Sequence, residues 1–202
     1  EADDLARFLR HVSDDRLFAA WMLLGTTGMR RGEVLGLKWS SVDLERRRLS
    51  VREALVTADG HAGLAEPKTA RSRRSVPLPA QTVAAIRAHR AKQLEERIAL
   101  GPDYADEDFV FCREDGAALS PQSFSRLFVR RCDSAGISRI RLHDLRHTFA
   151  TLALEAGVHA KVVSEILGHS SISLTLDTYS HAIPSMQEEA AGQVAALVFG
   201  VD

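Results

Sequence analysis

An α+β class, mainly α-helical with a small antiparallel β-sheet, is predicted for this 202-residue chain by three observations. Apolar residues recur at three- and four-residue spacing through most of the sequence, the signature of amphipathic helices. Between Leu49 and Leu78 the period falls to two, as in strands. Glycine and proline stand where one pattern gives way to the next.

Leu5, Phe8, Leu9 and Val12 predict a first helix over Asp3 to Val12. Leu17, Phe18, Trp21 and Leu24 predict a second over Asp14 to Gly25, broken by Gly25 and Gly28. A third, short helix is expected to carry Glu33, Val34, Leu37 and Trp39. Leu49–Val51–Glu53 and Ser75–Val76–Pro77–Leu78 read as short strands, with Thr57 to Gly63 as the turn between further strand residues. Gln81 to Leu100 forms a long helix ended by Gly101–Pro102, and Phe109 to Phe111 one more extended segment. Ser120 ahead of Pro121 is an N-cap followed by a first-turn proline, opening a helix that runs to Gly136. The next helix begins near His143 and ends at Gly157, and another spans Ala160 to Leu167 and stops at Gly168. Ser173 is expected to cap a short helix through Tyr179. Pro184 opens a terminal helix whose Met186, Ala190, Val194, Leu197 and Val198 form one stripe.

The pattern shows no internal repeat, low-complexity stretch or interdomain linker, and the length suits one ordinary domain. The longest apolar runs, Ala19 to Leu24 and Ala195 to Phe199, fall far below the ~20 residues of a membrane span, and no charged-then-apolar leader opens the sequence. Cys112 and Cys132 stand singly, without the spacing of a disulfide framework or a zinc site. The expectation is a cytoplasmic protein in a reducing compartment. Its 26 Lys and Arg nearly balance 27 Asp and Glu, yet the charge is segregated. Residues 30–90 hold 13 basic and 6 acidic groups and residues 121–150 hold 6 and 2, with acidic stretches between and after them. Only four of the basic residues are Lys (Lys38, Lys68, Lys92, Lys161), and the arginine excess suits bidentate phosphate contacts as well as it reflects a GC-rich genome.

Four segments could carry chemistry. His143-Asp144-Leu145-Arg146 sets an imidazole and a guanidinium three residues apart at a helix start, on one face and at a terminus that favours an anion. The overlapping His143/His147 pair lacks the Glu of HExxH and a third ligand, so it does not read as zinc. Thr27-Gly28-Met29-Arg30-Arg31-Gly32-Glu33 brings a glycine-flanked arginine to a helix start, with Glu33 placed to hold its guanidinium. Glu66-Pro67-Lys68-Thr69-Ala70-Arg71-Ser72-Arg73-Arg74 lies between strand candidates as a cationic hairpin arm. Leu167-Gly168-His169-Ser170-Ser171, then Asp177-Thr178-Tyr179-Ser180-His181, put a histidine after a helix end and a tyrosine ten residues beyond it. Taken singly, each segment is equally readable as a cap, a solvated turn or a core aromatic.

Together, Arg30, Lys68, His143, Arg146, His169 and Tyr179 occur in an order and context that resembles the catalytic domain of tyrosine recombinases, the phage integrase family. The resemblance covers the chain from about Asp4 to Val198. TGMRRGEVLGLKW, EPKTARSRRSVPLP, RLHDLRHTFATLALEAG and VVSEILGHSSISLTLDTYSH each look like a family block. The wording of LDTYSH and PKTARSRRSVPLP is most similar to integrases of actinobacterial phages and integrative elements. All six family positions hold permitted residue types.

The resemblance implies a tyrosine recombinase catalytic-domain fold over residues 1–202, and an enzyme that cleaves and rejoins DNA. Tyr179 would attack a backbone phosphate to give a covalent 3′-phosphotyrosine and a free 5′-hydroxyl, with no metal or other cofactor. His143 would take the tyrosine proton, Arg30 and Arg146 would clamp the non-bridging oxygens, His169 would add a hydrogen bond and Lys68 would protonate the leaving oxygen. Glu33 is expected to orient Arg30, and Asp144 to orient a catalytic group or favour the helix N-terminus. Arg71, Arg73 and Arg74 are expected to contact DNA backbone, and Arg46 to Arg48 either to do the same or to form a solvated turn. The implied partners are double-stranded DNA attachment sites, a homotetramer on DNA in the full-length protein, and accessory directionality or host factors. The isolated domain is expected to be a monomeric fragment lacking upstream core-binding and arm-binding domains. A type IB topoisomerase and a catalytically idle DNA-binding module are the alternatives.

Overall fold

The computed structural model describes residues 2–58, 61–65, 73–138, 140–169, 171–179, 192 and 194–200. Helices α1 (Ala2–His11), α2 (Phe18–Thr27) and α3 (Arg31–Leu35) lead through a 3-10 turn (Trp39–Ser41) into strands β1 (Val42–Asp43) and β2 (Arg48–Val51). Strands β3 (Ala54–Ala58), β4 (His61–Ala65) and β5 (Arg74–Pro77) follow. Helices α4 (Ala80–Leu100), α5 (Pro121–Ser134), α6 (Asp144–Glu155), α7 (Ala160–Leu167) and α8 (Ile172–Thr178) complete the order, and residues 194–199 are helical. The strands form two antiparallel sheets, β1-β2-β5 and the hairpin β3-β4. Leu49 sits opposite both Val42 and Val76, so its buried side chain closes the inner face of the three-stranded sheet.

Several boundaries differ from the sequence expectation, each for a local reason. Helix α2 starts at Phe18 because Asp15 accepts the Leu17 N–H at 2.8 Å and holds the chain in a turn. Helix α3 ends at Leu35, leaving Leu37 and Trp39 beyond it. Ser173 lies inside α8 rather than at its cap, since that helix already begins at Ile172. Ser120 does cap α5, accepting the Ser123 N–H at 3.4 Å, with Pro121 in the first turn. The opening of the terminal helix at Pro184 lies outside the described residues; Val194, Leu197 and Val198 of its stripe are exposed. Among the described residues no helix is long and apolar enough to cross a membrane.

Two buried clusters hold the fold. The larger packs α1, α2, α4, α5 and the three-stranded sheet, with Trp21 stacked on Phe124 at 4.4 Å between ring centroids, an arrangement worth about 1 kcal/mol beyond its burial. The buried polar side chains His89 and Gln93 of α4 satisfy backbone carbonyls of the 109–110 segment. Arg16 grips Glu96 through two 2.6 Å bonds and donates to the Cys112 carbonyl, tying the start of α2 to α4. The smaller cluster comprises Ala150 and Leu154 of α6, Val163 and Leu167 of α7, and Tyr179. Helix α6 belongs to both, since Leu145 in its first turn lies in the larger cluster. The first turn of α6 therefore stands at the junction between them.

Candidate active site

Arg30 is delivered by a turn that only glycine can make. Gly28, the C-cap of α2, has φ 63°, and a Cβ there would lie 2.6 Å from Phe149 Cδ1 and 2.7 Å from Leu167 Cδ2. The chain then re-enters helix at α3 with Arg30 as N-cap. Glu33 reaches back to it, accepting the Arg30 N–H at 2.8 Å and its Nη1 at 2.9 Å. The same carboxylate receives Arg74 of β5, whose Nη1 and Nη2 lie 3.0 and 2.9 Å from Oε1 and Oε2. Burial alone would raise the Glu33 carboxyl, but the two guanidinium groups, Arg74 foremost, hold it below the usual carboxylate range.

The expected role of Arg74 on DNA backbone is thereby corrected. Its side chain is 7% exposed and faces inward with Val76, committed to Glu33 and to the Ile166 carbonyl at 2.6 Å. Arg73, one residue earlier on the strand, is exposed and lines an open groove with Lys38 and Arg52. Lys68 and Arg71 lie outside the described residues. Arg46 to Arg48 sit at the β1–β2 turn, where Arg47 has φ 52° and the exposed Arg46 approaches Asp43.

His143 is the N-cap of α6 and is exposed, while Arg146, the third residue of the helix, is 4% exposed. Asp144 does not orient a catalytic group directly. It accepts the Arg141 N–H at 2.8 Å and pairs with the Arg141 guanidinium, closing the turn that sets His143 at the helix start. Arg146 donates from Nη1 to the Gly28 carbonyl and from Nη2 to the Leu167 carbonyl, both at 2.7 Å. Burial, with the charge of Arg30 next, pushes its guanidinium down to about 9, so it remains a cation at neutral pH in surroundings that an anion would relieve.

The C-terminal end of α7 organises the cations. Its successive carbonyls at Ile166, Leu167 and Gly168 accept Arg74 at 2.6 Å, Arg146 at 2.7 Å and Arg30 at 3.3 Å. Carbonyls orphaned by a helix end carry partial negative charge, so they hold guanidinium groups in place without neutralising them as carboxylates would. Among the described residues this cluster sets three arginines against the single carboxylate of Glu33. Gly168 then turns the chain through the left-handed region (φ 66°), and His169 emerges with Nδ1 2.8 Å from Thr175 Oγ1. Burial, then the neighbouring Arg146 and Arg30, push His169 down to about 4; burial, His147 and Arg146 lower His143. Both rings stay neutral at pH 7.

Tyr179 follows α8 with its ring in the smaller cluster, 2% exposed. Its hydroxyl lies 2.9 Å from Nδ1 of His147 on α6, and the His147 ring makes an edge contact with His143 at 4.9 Å between centroids. Burial raises the tyrosine and the Arg146 charge draws it down, the first prevailing. The structure thus brings together Arg30, His143, Arg146, His169 and Tyr179, and adds His147. Sequence reasoning weighed His147 only as a zinc partner for His143; its place one helical turn beyond His143 was the available signal.

Among the described residues, a tyrosine thus lies beside three arginines that share one carboxylate, a setting suited to an anion. The chain belongs to the phage integrase family, whose sequence profile matches residues 1–186. A tyrosine recombinase XerC-like protein of Caldanaerobacter subterraneus subsp. tengcongensis is 34% identical over 200 residues, covering 93% of this chain and 51% of that protein. A putative prophage phiRv2 integrase of Mycobacterium tuberculosis is 29% identical over 181 residues, covering 90% of this chain and 45% of its own length. Among solved structures, the Tn1549 transposon integrase in complex with transposon right end DNA superposes with a TM-score of 0.77 at 26% identity, over 94% of this chain and 63% of that one. The chain spans about half the length of the curated relatives it matches.

Proposed function

We propose that this chain is the catalytic portion of a site-specific DNA recombinase that breaks and rejoins strands to integrate or excise a mobile element. The observation that carries the reading is Tyr179 set beside Arg146, which its hydroxyl feels electrostatically and which shares the α7 carbonyls with Arg30. A phosphate seated on these guanidinium groups presents its phosphorus to a nucleophile. Attack forms the Tyr179 Oη–phosphorus bond and breaks the phosphorus–O5′ bond. The strand keeps a 3′-phosphotyrosine and releases a 5′-hydroxyl, which later reverses the step on a new partner strand.

Arg30 and Arg146 hold the non-bridging oxygens as negative charge accumulates in the pentacoordinate transition state. The neutral imidazoles of His143 and His169 contribute hydrogen bonds there. We assign the proton donated to the leaving 5′-oxygen to Lys68. Tyrosine with a reference pKa of about 10 is roughly one part in a thousand ionised at pH 7, and burial deepens the deficit, so attack needs a proton acceptor. The DNA backbone is read here as running past Arg73 and Arg52, giving a salt-dependent contribution with little sequence information. The rest of the assembly belongs to the same proposal: upstream DNA-clamping domains in the portion of the relatives' length that this chain does not span, a tetrameric synapse, accessory factors and a cytoplasmic setting.

The test is a nicked suicide duplex carrying the junction sequence that flanks the element, incubated in EDTA with the full-length protein. The expected product is a denaturation-resistant protein–DNA adduct that disappears in Tyr179→Phe. Salt-sensitive binding with no adduct on that duplex would sink the recombinase reading in favour of an idle DNA-binding module.

A further inference from the structure

We propose that His147 is a catalytic residue that holds the Tyr179 hydroxyl and takes its proton during strand cleavage. The inference rests on the recombinase reading above and assigns the acceptor that reading leaves unnamed. His147 Nδ1 lies 2.9 Å from the Tyr179 hydroxyl, with the rings 5.8 Å apart and tilted by 52°. With its proton on Nε2, the ring presents Nδ1 as an acceptor to the Tyr179 hydroxyl. The fold makes this contact rigid from the histidine side. His147 adjoins Arg146, whose guanidinium is fixed to two backbone carbonyls, and Thr148 donates to the Asp144 carbonyl in the same helical turn.

The placement separates two tasks that sequence reasoning gave to one residue. His143 stands exposed at the N-cap of α6, at the helix end that favours an anion. His147, one turn deeper and half-buried, meets the nucleophile from the side. During cleavage the Tyr179 O–H proton passes to Nδ1 while Oη bonds to phosphorus and the 5′-oxygen departs. During rejoining the same proton returns to Oη as the tyrosine leaves.

Three variants separate proton transfer from positioning. In His147→Asn the amide oxygen stands near the place of Nδ1 and keeps the hydrogen bond to the tyrosine, but it cannot take the proton. Single-turnover adduct formation by the full-length protein on the suicide duplex should fall by 10²- to 10⁴-fold in His147→Asn and His147→Phe, the span of a lost general base. A duplex whose scissile 5′-oxygen is replaced by sulfur needs no proton on its leaving group. It should restore cleavage to Lys68→Ala and leave both His147 variants slow. Adduct formation in wild type with His147→Asn within threefold of it would overturn the proton-acceptor role while the recombinase reading stood. A faster His147→Phe would make the contact a resting latch and overturn it equally. Absence of any adduct in wild type would remove the recombinase reading and this inference with it.

Discussion

At the scale of single residues, the chemistry of the site depends on rings that stay neutral beside arginines that stay charged. His169 is the clearest case, held down to about 4 by burial and then by Arg146 and Arg30, against about 6.5 in an unfolded chain. Between those two values the unfolded chain binds a proton that the fold refuses. The stability linked to His169 is therefore fully present above pH 6.5 and is lost as the pH falls toward 4. Thermal unfolding of wild type should show a steeper fall in Tm across that window than His169→Asn, with the two curves parallel above pH 6.5. Curves parallel throughout would show that the ring is not held neutral. These residues were legible together, through the family blocks, rather than one at a time, since each segment alone reads equally as a cap, a turn or a core aromatic. Arg30, His143, Arg146, His169 and Tyr179 all stand at helix ends or glycine turns that the sequence marks. Arg74 was misread although the signal was present, because two-residue alternation places it on the face of the buried Val76 and leaves Arg73 outside. His147's place on the His143 face was legible, but its contact with Tyr179 was not, since that partner is 32 residues away and only the packing of α6 against Tyr179 joins them.

At the scale of elements, Glu33 is the point where α3 and β5 are fastened together. Its removal and that of Arg30 should act in opposite ways. In Glu33→Gln the buried Arg74 guanidinium keeps its α7 carbonyl but loses its carboxylate, and breaking a buried pair costs on the order of 3–5 kcal/mol. Arg30, with a side chain 40% exposed, leaves Glu33 still paired with Arg74 when it is removed. Arg30→Ala should therefore cost about 1 kcal/mol or less in urea unfolding while slowing adduct formation by about 10²- to 10³-fold. Comparable urea midpoints for the two variants would show that Glu33 is not the fastening point. Helix boundaries bearing a recognisable start or stop signal were found correctly from sequence, as at Ser120–Pro121, Gly101 and Gly168. The start of α2 was not, because apolar spacing carried the helix back to Asp14, whereas Asp15 closes a turn and binds Arg131 at 2.6 Å.

At the scale of the whole molecule, the nucleophile sits in the smaller of two cores. The larger cluster carries the aromatic packing of Trp21, Phe124 and Phe128, and the smaller one carries Tyr179 among a few aliphatic side chains. A ring 2% exposed must be uncovered before it can reach a phosphate, and the smaller cluster is the one whose opening sacrifices less buried apolar surface. Amide exchange should be faster in peptides covering α7 and α8 than in those covering α2 and the first half of α4. Equal protection in the two sets would count against independent opening. The mainly helical class with its small antiparallel sheet was legible from period and punctuation. The division of the strands into two sheets was not, because a two-residue period identifies a strand without naming its partner.

The three consecutive carbonyls at the end of α7 also bear on how such a chain can vary. Each residue added to or removed from a helix turns everything beyond it by about 100°. A one-residue insertion or deletion in α7 would swing Ile166, Leu167 and Gly168 away from Arg74, Arg146 and Arg30 together, whereas changes of length between β4 and Arg74 leave that attachment untouched. Length variation among functional descendants of this sequence is thus excluded from α7.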